Sequence, residues 1–282
     1  MIPGRLLRAP GAALLALAVV ASPRPASATA YSWKVANSSA WNNSANWTPA
    51  GIPGSGDDVT ISISGTYTVN MNLNGGSATV RSLSITGSGA HSLQMIDATL
   101  TVTNGPFVVG AGHEIIMYQS HLTGSAALQI SGDIAASSTG GGADNTITNA
   151  VTTVAGSRIR ILGGSGVSLS IQNAFTVNGE LDLRGTSAPG QPNDAVFYLL
   201  SGTLTIGSGG KLISSVDTGG GGRICHATIN NQGTIQVDYP MTIDKLSADH
   251  VSTGTIDLNE GTLTWLQTGT TPSLTANGSI TI

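Results

Sequence analysis

Six charged residues of this 282-residue chain recur at intervals that could place them side by side: Asp133, Arg158, Arg160, Glu180, Asp182 and Lys211. Asp133, Arg158, Glu180 and Lys211 each follow a glycine closely and precede an alternating apolar run, so they occupy equivalent outward positions of a repeat. Arg160 and Asp182 match two positions further on. Gathered on one face, paired carboxylates could act as acid and base on a polysaccharide, or a basic residue could work beside acidic metal ligands. The charges along the stack nevertheless read minus, plus, minus, plus. Opposite charges on neighbouring strands stabilise a sheet by about 0.2–1 kcal/mol per pair. An active site gains instead from bringing like carboxylates together and separating their pKa values. The pattern reads first as a structural ladder, with Arg158–Glu180 and Arg160–Asp182 facing each other. As a catalytic set it is the weaker reading.

The other chemistry-bearing residues point to no familiar centre. His113 beside Glu114, with His121 further on, fits no zinc spacing and reads as surface histidine. Thr139 to Asn145 partly matches a glycine-rich calcium repeat, but it occurs once, lacks the first glycine and has Ile147 one residue late. Asp57 and Asp58 point opposite ways, a poor calcium cage and a good turn cap. The lone Cys225 rules out an internal disulfide framework. It shares alternation phase with Ala227 and Ile229, the pattern of a small buried hydrophobe, while His226 faces the other way. No Ser-His-Asp set, phosphate loop or dinucleotide fingerprint is visible, and no cofactor or metal is implied.

Whatever positions these residues is built from an unusual composition. Charged residues make up 9% and glycine 38 of the 282 positions, where about 25% and about 7% are ordinary. Ile, Val and Leu recur at alternating positions, so the chain can bury a core and is not a disordered polar chain. Residues 1–30 read as a secretory leader: Arg5 and Arg8, an apolar run from Gly11 to Ala21, then Ala28-Thr29-Ala30 for cleavage. Eleven apolar residues are too few to span a bilayer, and no later stretch comes closer. An exported protein, extracellular or at the cell surface, is expected. Without the leader, eight basic and fifteen acidic residues remain, a net of −7. No basic patch with interleaved aromatics exists, which speaks against nucleic acid as a partner.

A repeat organises the rest. Glycine, one or two polar residues and alternating Ile or Leu recur from Gly132, Gly156, Gly179, Gly210, Gly233, Gly254 and Gly278, with weaker copies from Gly65, Gly89 and Gly112. The intervals are 24, 23, 20, 24, 23, 31, 23, 21 and 24 residues. Strands this short need stacking, glycine permits a bend before each, and no amphipathic helix covers them. The expectation is an all-β, right-handed parallel β-helix of nine or ten coils of roughly 23 residues, a rod roughly 45 Å long. Ile134, Ile159, Leu181, Leu212, Ile235, Ile256 and Ile280 should stack as one inward row. The long interval holds a turn-rich excursion, Thr186 to Asp194; with Ser137 to Asp144 and Ser214 to Gly222 it should project from one side, the first candidate binding surface.

The segment from Trp41 to Pro49 and from Pro53 to Ile61 resembles the opening of many secreted bacterial β-helix proteins, including autotransporter-like passengers and surface adhesins. Rungs such as Ala98 to Val102 resemble the same group, which has no shared catalytic motif to carry over. The resemblance makes residues 31–64 a capping segment, with Trp33, Trp41 and Trp47 covering the open end of the core; a sugar-stacking platform is the alternative. Residues 65–282 form the β-helix. Its last rung, Ser279 to Ile282, is still in register, so more coils or self-association through an uncapped end are expected. The implied role is structural or adhesive, toward a glycan or extracellular-matrix ligand. A carbohydrate-active enzyme using Arg158, Glu180 and Lys211 is the runner-up.

Overall fold

The structure, a computed structural model, describes residues 28–164, 166–185, 194–216 and 221–282. The expected leader, apart from residues 28–30, and residues 186–193 and 217–220 of the two later side loops lie outside the described residues. The chain is a parallel β-solenoid of about ten turns with coils near 24 residues. Most strands are short, while Gly65–Val80, Gly89–Val102 and Ala195–Ile206 are longer. The first faces stack Glu114–Tyr118, Asp133–Ser137, Arg158–Gly163, Glu180–Gly185, Lys211–Val216, Thr234–Val237, Thr255–Asp257 and Ser279–Thr281 in parallel register. A second ladder runs through Ala143–Ile147, Val167–Ile171 and Ala195–Ile206, and a third through Phe107–Val109, Leu128–Ile130 and Val151–Thr153. The only helical element among the described residues is a single 3-10 turn, Ser44–Asn46.

The expected inward row is continuous. Ile134, Ile159, Leu181, Leu212, Ile235, Ile256 and Ile280 are register partners, and Ile115 extends the row upstream. All but the last are buried, whereas Ile280 on the final coil is 60% exposed. Burial of an unbroken apolar row on every coil is what lets strands of three to six residues persist. A one-residue slip would turn each row outward.

Gly179 and Gly210 are required for a reason other than the bend. A Cβ on Gly179 would lie 2.1 Å from the Ser157 carbonyl oxygen, and on Gly210 1.9 Å from that of Val177. Neither glycine has a positive φ. The coils approach so closely at this corner that only hydrogen fits between them. The three side loops leave from another corner, between the first and second ladders, as their flanking strands place them.

The opening segment runs Ala30–Trp33 beside Asp58–Ile61 in parallel and beside Trp47–Thr48 in antiparallel register. Trp33, Trp41 and Trp47 are buried and meet edge to face, with centroids 5.0 and 4.9 Å from Trp47. The Trp47 indole N–H donates to the Trp41 carbonyl at 2.8 Å. Their faces are closed off, so they offer no platform for a sugar.

Candidate functional site

The marker-glycine corner is concave. Asp133, Arg158, Glu180 and Lys211 stand on four consecutive coils there, each the Cα partner of the next. One cleft of about 470 Å³ is lined by residues that include Tyr67, His91, His113, Glu114, Asp133 and Arg158. A second, of about 430 Å³, is lined by Gly156, Arg158, Gly179, Glu180, Gly209 and Lys211. They share Gly156 and Arg158, so together they form one groove along the rod. From Tyr67 to Lys211 it crosses seven coils, roughly 30 Å at about 4.8 Å per rung. Glycines make its floor and charged side chains its margin. This concavity lies on a different corner from the loops that the sequence pointed to.

The expected ladder has the right register and different partners. Arg158 aligns with Glu180 and Arg160 with Asp182. The side chains turn elsewhere. Arg160 Nη2 donates to Glu114 Oε1 and, at 3.2 Å, to Asp133 Oδ2, while Arg158 lies 3.7 Å from Asp133. Asp182 is 3% exposed; it accepts from Arg184 Nε at 3.1 Å and from the Ser215 hydroxyl at 2.6 Å. The reason is local: Arg184 and Ser215 sit beside Asp182 on the same sheet face, so its charge is met before Arg160 can reach it. Among the described residues Glu180 and Lys211 make no ion pair.

Glu114, weighed from the sequence only beside His113 as a metal ligand, changes the charge order. It is the register partner of Asp133, so two carboxylates face each other on adjacent coils. Burial pushes the Glu114 carboxyl up; Arg160 opposes the rise and Asp133 adds to it. The signal was present in the weak copy at Gly112, whose second following residue is Glu114.

The histidine expectation is corrected. His113 is 3% exposed and so is not a surface residue, while His121 is partly exposed; His91, at 1%, is buried like His113. Tyr67, His91 and His113 stack on three consecutive coils with centroids 4.6 and 4.5 Å apart. They occupy the inward corner that glycine fills lower down, at Gly132 and Gly179. Burial lowers both imidazole pKa values and raises the Tyr67 phenol to about 12. Another unforeseen residue is Arg223, buried in the core row of Ala195 and Met241. It donates to the carbonyls of Ser215 and Gly221 and lies 4.1 Å over the Tyr239 ring.

The remaining candidates are held by local partners. Asp57 accepts from the Gly54 N–H at 2.8 Å, a turn cap, and Asp58 pairs with Arg81 and the Ser82 hydroxyl. Asp144 accepts from the Ser168 hydroxyl at 2.6 Å. Cys225 is fully buried and its thiol is pushed up to about 12, while His226 faces out against Tyr198. No group of three or more His, Cys, Asp or Glu suited to a metal occurs among the described residues.

Fold and groove together define a parallel β-solenoid with a polar axial cleft. No family model, curated protein or solved structure matches the chain. Among the described residues no helix is long and apolar enough to cross a membrane.

Proposed function

We propose that this chain is an exported, surface-associated or secreted β-solenoid that holds an extended glycan, free or in extracellular matrix, along the glycine corner. The observation that carries this reading is the groove running lengthwise from Tyr67 to Lys211. A rung repeat of about 4.8 Å is close to the length of one pyranose ring, so successive sugars of a linear chain meet equivalent positions on successive coils. Gly156 and Gly209, where a Cβ would meet nothing within 4 Å, leave room for the rings. Glu180 and Lys211, free of ion pairs among the described residues, can exchange hydrogen bonds with hydroxyls. The leader at residues 1–30 and the adhesin-like opening segment support the location.

One observation favours a second reading, a carbohydrate-active enzyme: the carboxylates of Glu114 and Asp133 on adjacent coils of the same groove. Against it, Arg160 engages both, so neither is free to deliver or take a proton at a sugar oxygen. A glycan array and an assay for new reducing or unsaturated ends, run on one preparation, separate the readings. Retention of linear polysaccharides, lost in Glu180→Gln/Lys211→Gln without product formation, supports binding. Absence of any retained glycan overturns it. Products that disappear in Glu114→Gln establish the enzyme.

A further inference from the structure

The upper wall of the groove has an internal chemistry of its own. The main-chain N–H of His91 donates to Nδ1 of His113 on the next coil, at 3.2 Å. That bond exists only while His113 Nδ1 carries no proton. The rings of the two residues lie 4.5 Å apart and 15° from parallel, both buried. Both ring nitrogens of His91 and the Tyr67 hydroxyl are buried without an aligned hydrogen-bond partner, although the main chain of Gly65 and Ala90 runs close to His91 and that of Ile63 close to Tyr67. Two imidazolium ions stacked in this setting would repel each other with little solvent between them.

We propose that the Tyr67–His91–His113 column is an acid-sensing element: protonation of its imidazoles breaks the hydrogen bond from the His91 main-chain N–H to His113 Nδ1 and opens the N-terminal wall of the groove. The charged groups that line the cleft with the column are Glu114, Asp133 and Arg158. Arg160 ties Glu114 and Asp133 together, and Tyr67 stays a neutral phenol throughout the range. No carboxylate is therefore left over to hold an imidazolium in place. Release of a glycan on acidification would follow from the function proposed above; the opening itself does not depend on that reading.

Later coils supply the control. The Ser120 N–H is held in the same manner by Asn145 Oδ1, at 3.0 Å, a group that does not titrate. The Ile229 N–H is held by His250 Nδ1 at 3.2 Å, a second bond that requires a neutral imidazole. Amide hydrogen exchange of the full chain, free of ligand, is compared at about pH 7.5 and about pH 5, either side of the unperturbed histidine value. After correction for intrinsic exchange, the residue-91 amide loses protection about tenfold or more in the wild type, as expected for one lost main-chain bond. In His113→Asn that amide keeps its protection at both pH values, while the Ile229 amide of the same sample still responds. Unchanged protection in the wild type, or equal loss in His113→Asn, overturns the proposal. Should His113→Asn fail to fold, His91→Phe keeps a stacked ring and removes one charge. It must then shift the opening of the residue-91 amide to lower pH, and an unshifted opening sinks the idea.

Discussion

Arg160 reaches Glu114 across two coils, passing over the coil that carries Asp133 and bonding to that residue on the way. One guanidinium thus joins three rungs and bridges two carboxylates that the stacking forces together. Both carboxylates and the guanidinium are at least three-quarters shielded from solvent, so the contact is stronger than an exposed pair. Arg160→Gln should lower unfolding stability by about 2 kcal/mol, because it leaves two carboxylates facing each other. Adding Glu114→Gln should recover part of that loss. Urea unfolding of the single and double variants measures it, and additive losses would dissolve the link.

Adjacent glycines should behave oppositely. A Cβ on Gly209 meets nothing within 4 Å, whereas on Gly210 it strikes the Val177 carbonyl. Gly209→Ala should therefore be within about 0.5 kcal/mol of wild type, while Gly210→Ala should cost about 3 kcal/mol or more through overpacking against backbone. Thermal melts of the two variants decide the point. Equal melting temperatures would mean that the coil spacing is wrong.

Acid should weaken the rod. Burial lowers the pKa of His91, His113 and His250 in the folded state. The unfolded chain takes up those protons near pH 6.5 and the folded chain only below it. Stability is thus full above that value and falls as pH drops toward the folded values, by about 1.4 kcal/mol for each unit of separation per group. Glu114, raised in the fold, acts with the opposite sign at lower pH. Urea midpoints between about pH 7.5 and about pH 5.5 isolate the histidines. The midpoint should fall across that range, and His250→Asn should flatten the slope.

Cys225 should be chemically silent until the rod unfolds. It is fully buried with its thiol pushed up to about 12, so the thiolate that reacts is absent at neutral pH. A disulfide reagent should label it only in denaturant, at a rate set by unfolding. Rapid labelling of the native protein would place Cys225 on the surface and put the alternation of Arg223–Asn231 out of phase.

The sequence by itself determined the architecture, because that information is periodic. Alternation assigns inside and outside, and the recurring glycine sets the coil, so the row from Ile134 to Ile256 and the register of Arg158 with Glu180 could be counted off the residues. Even Cys225 was legible from the phase it shares with Ala227. What the tertiary structure alone decided were relationships across coils that do not repeat. Side-chain direction is not periodic: Arg160 turned back to Glu114, and Asp182 was taken by Arg184 and Ser215, since a long side chain chooses among several neighbours at similar distance. The column of Tyr67, His91 and His113 was hidden for a related reason. A corner that accepts only glycine at Gly179 is wide enough upstream for aromatic rings, and no residue pattern announces that change in width.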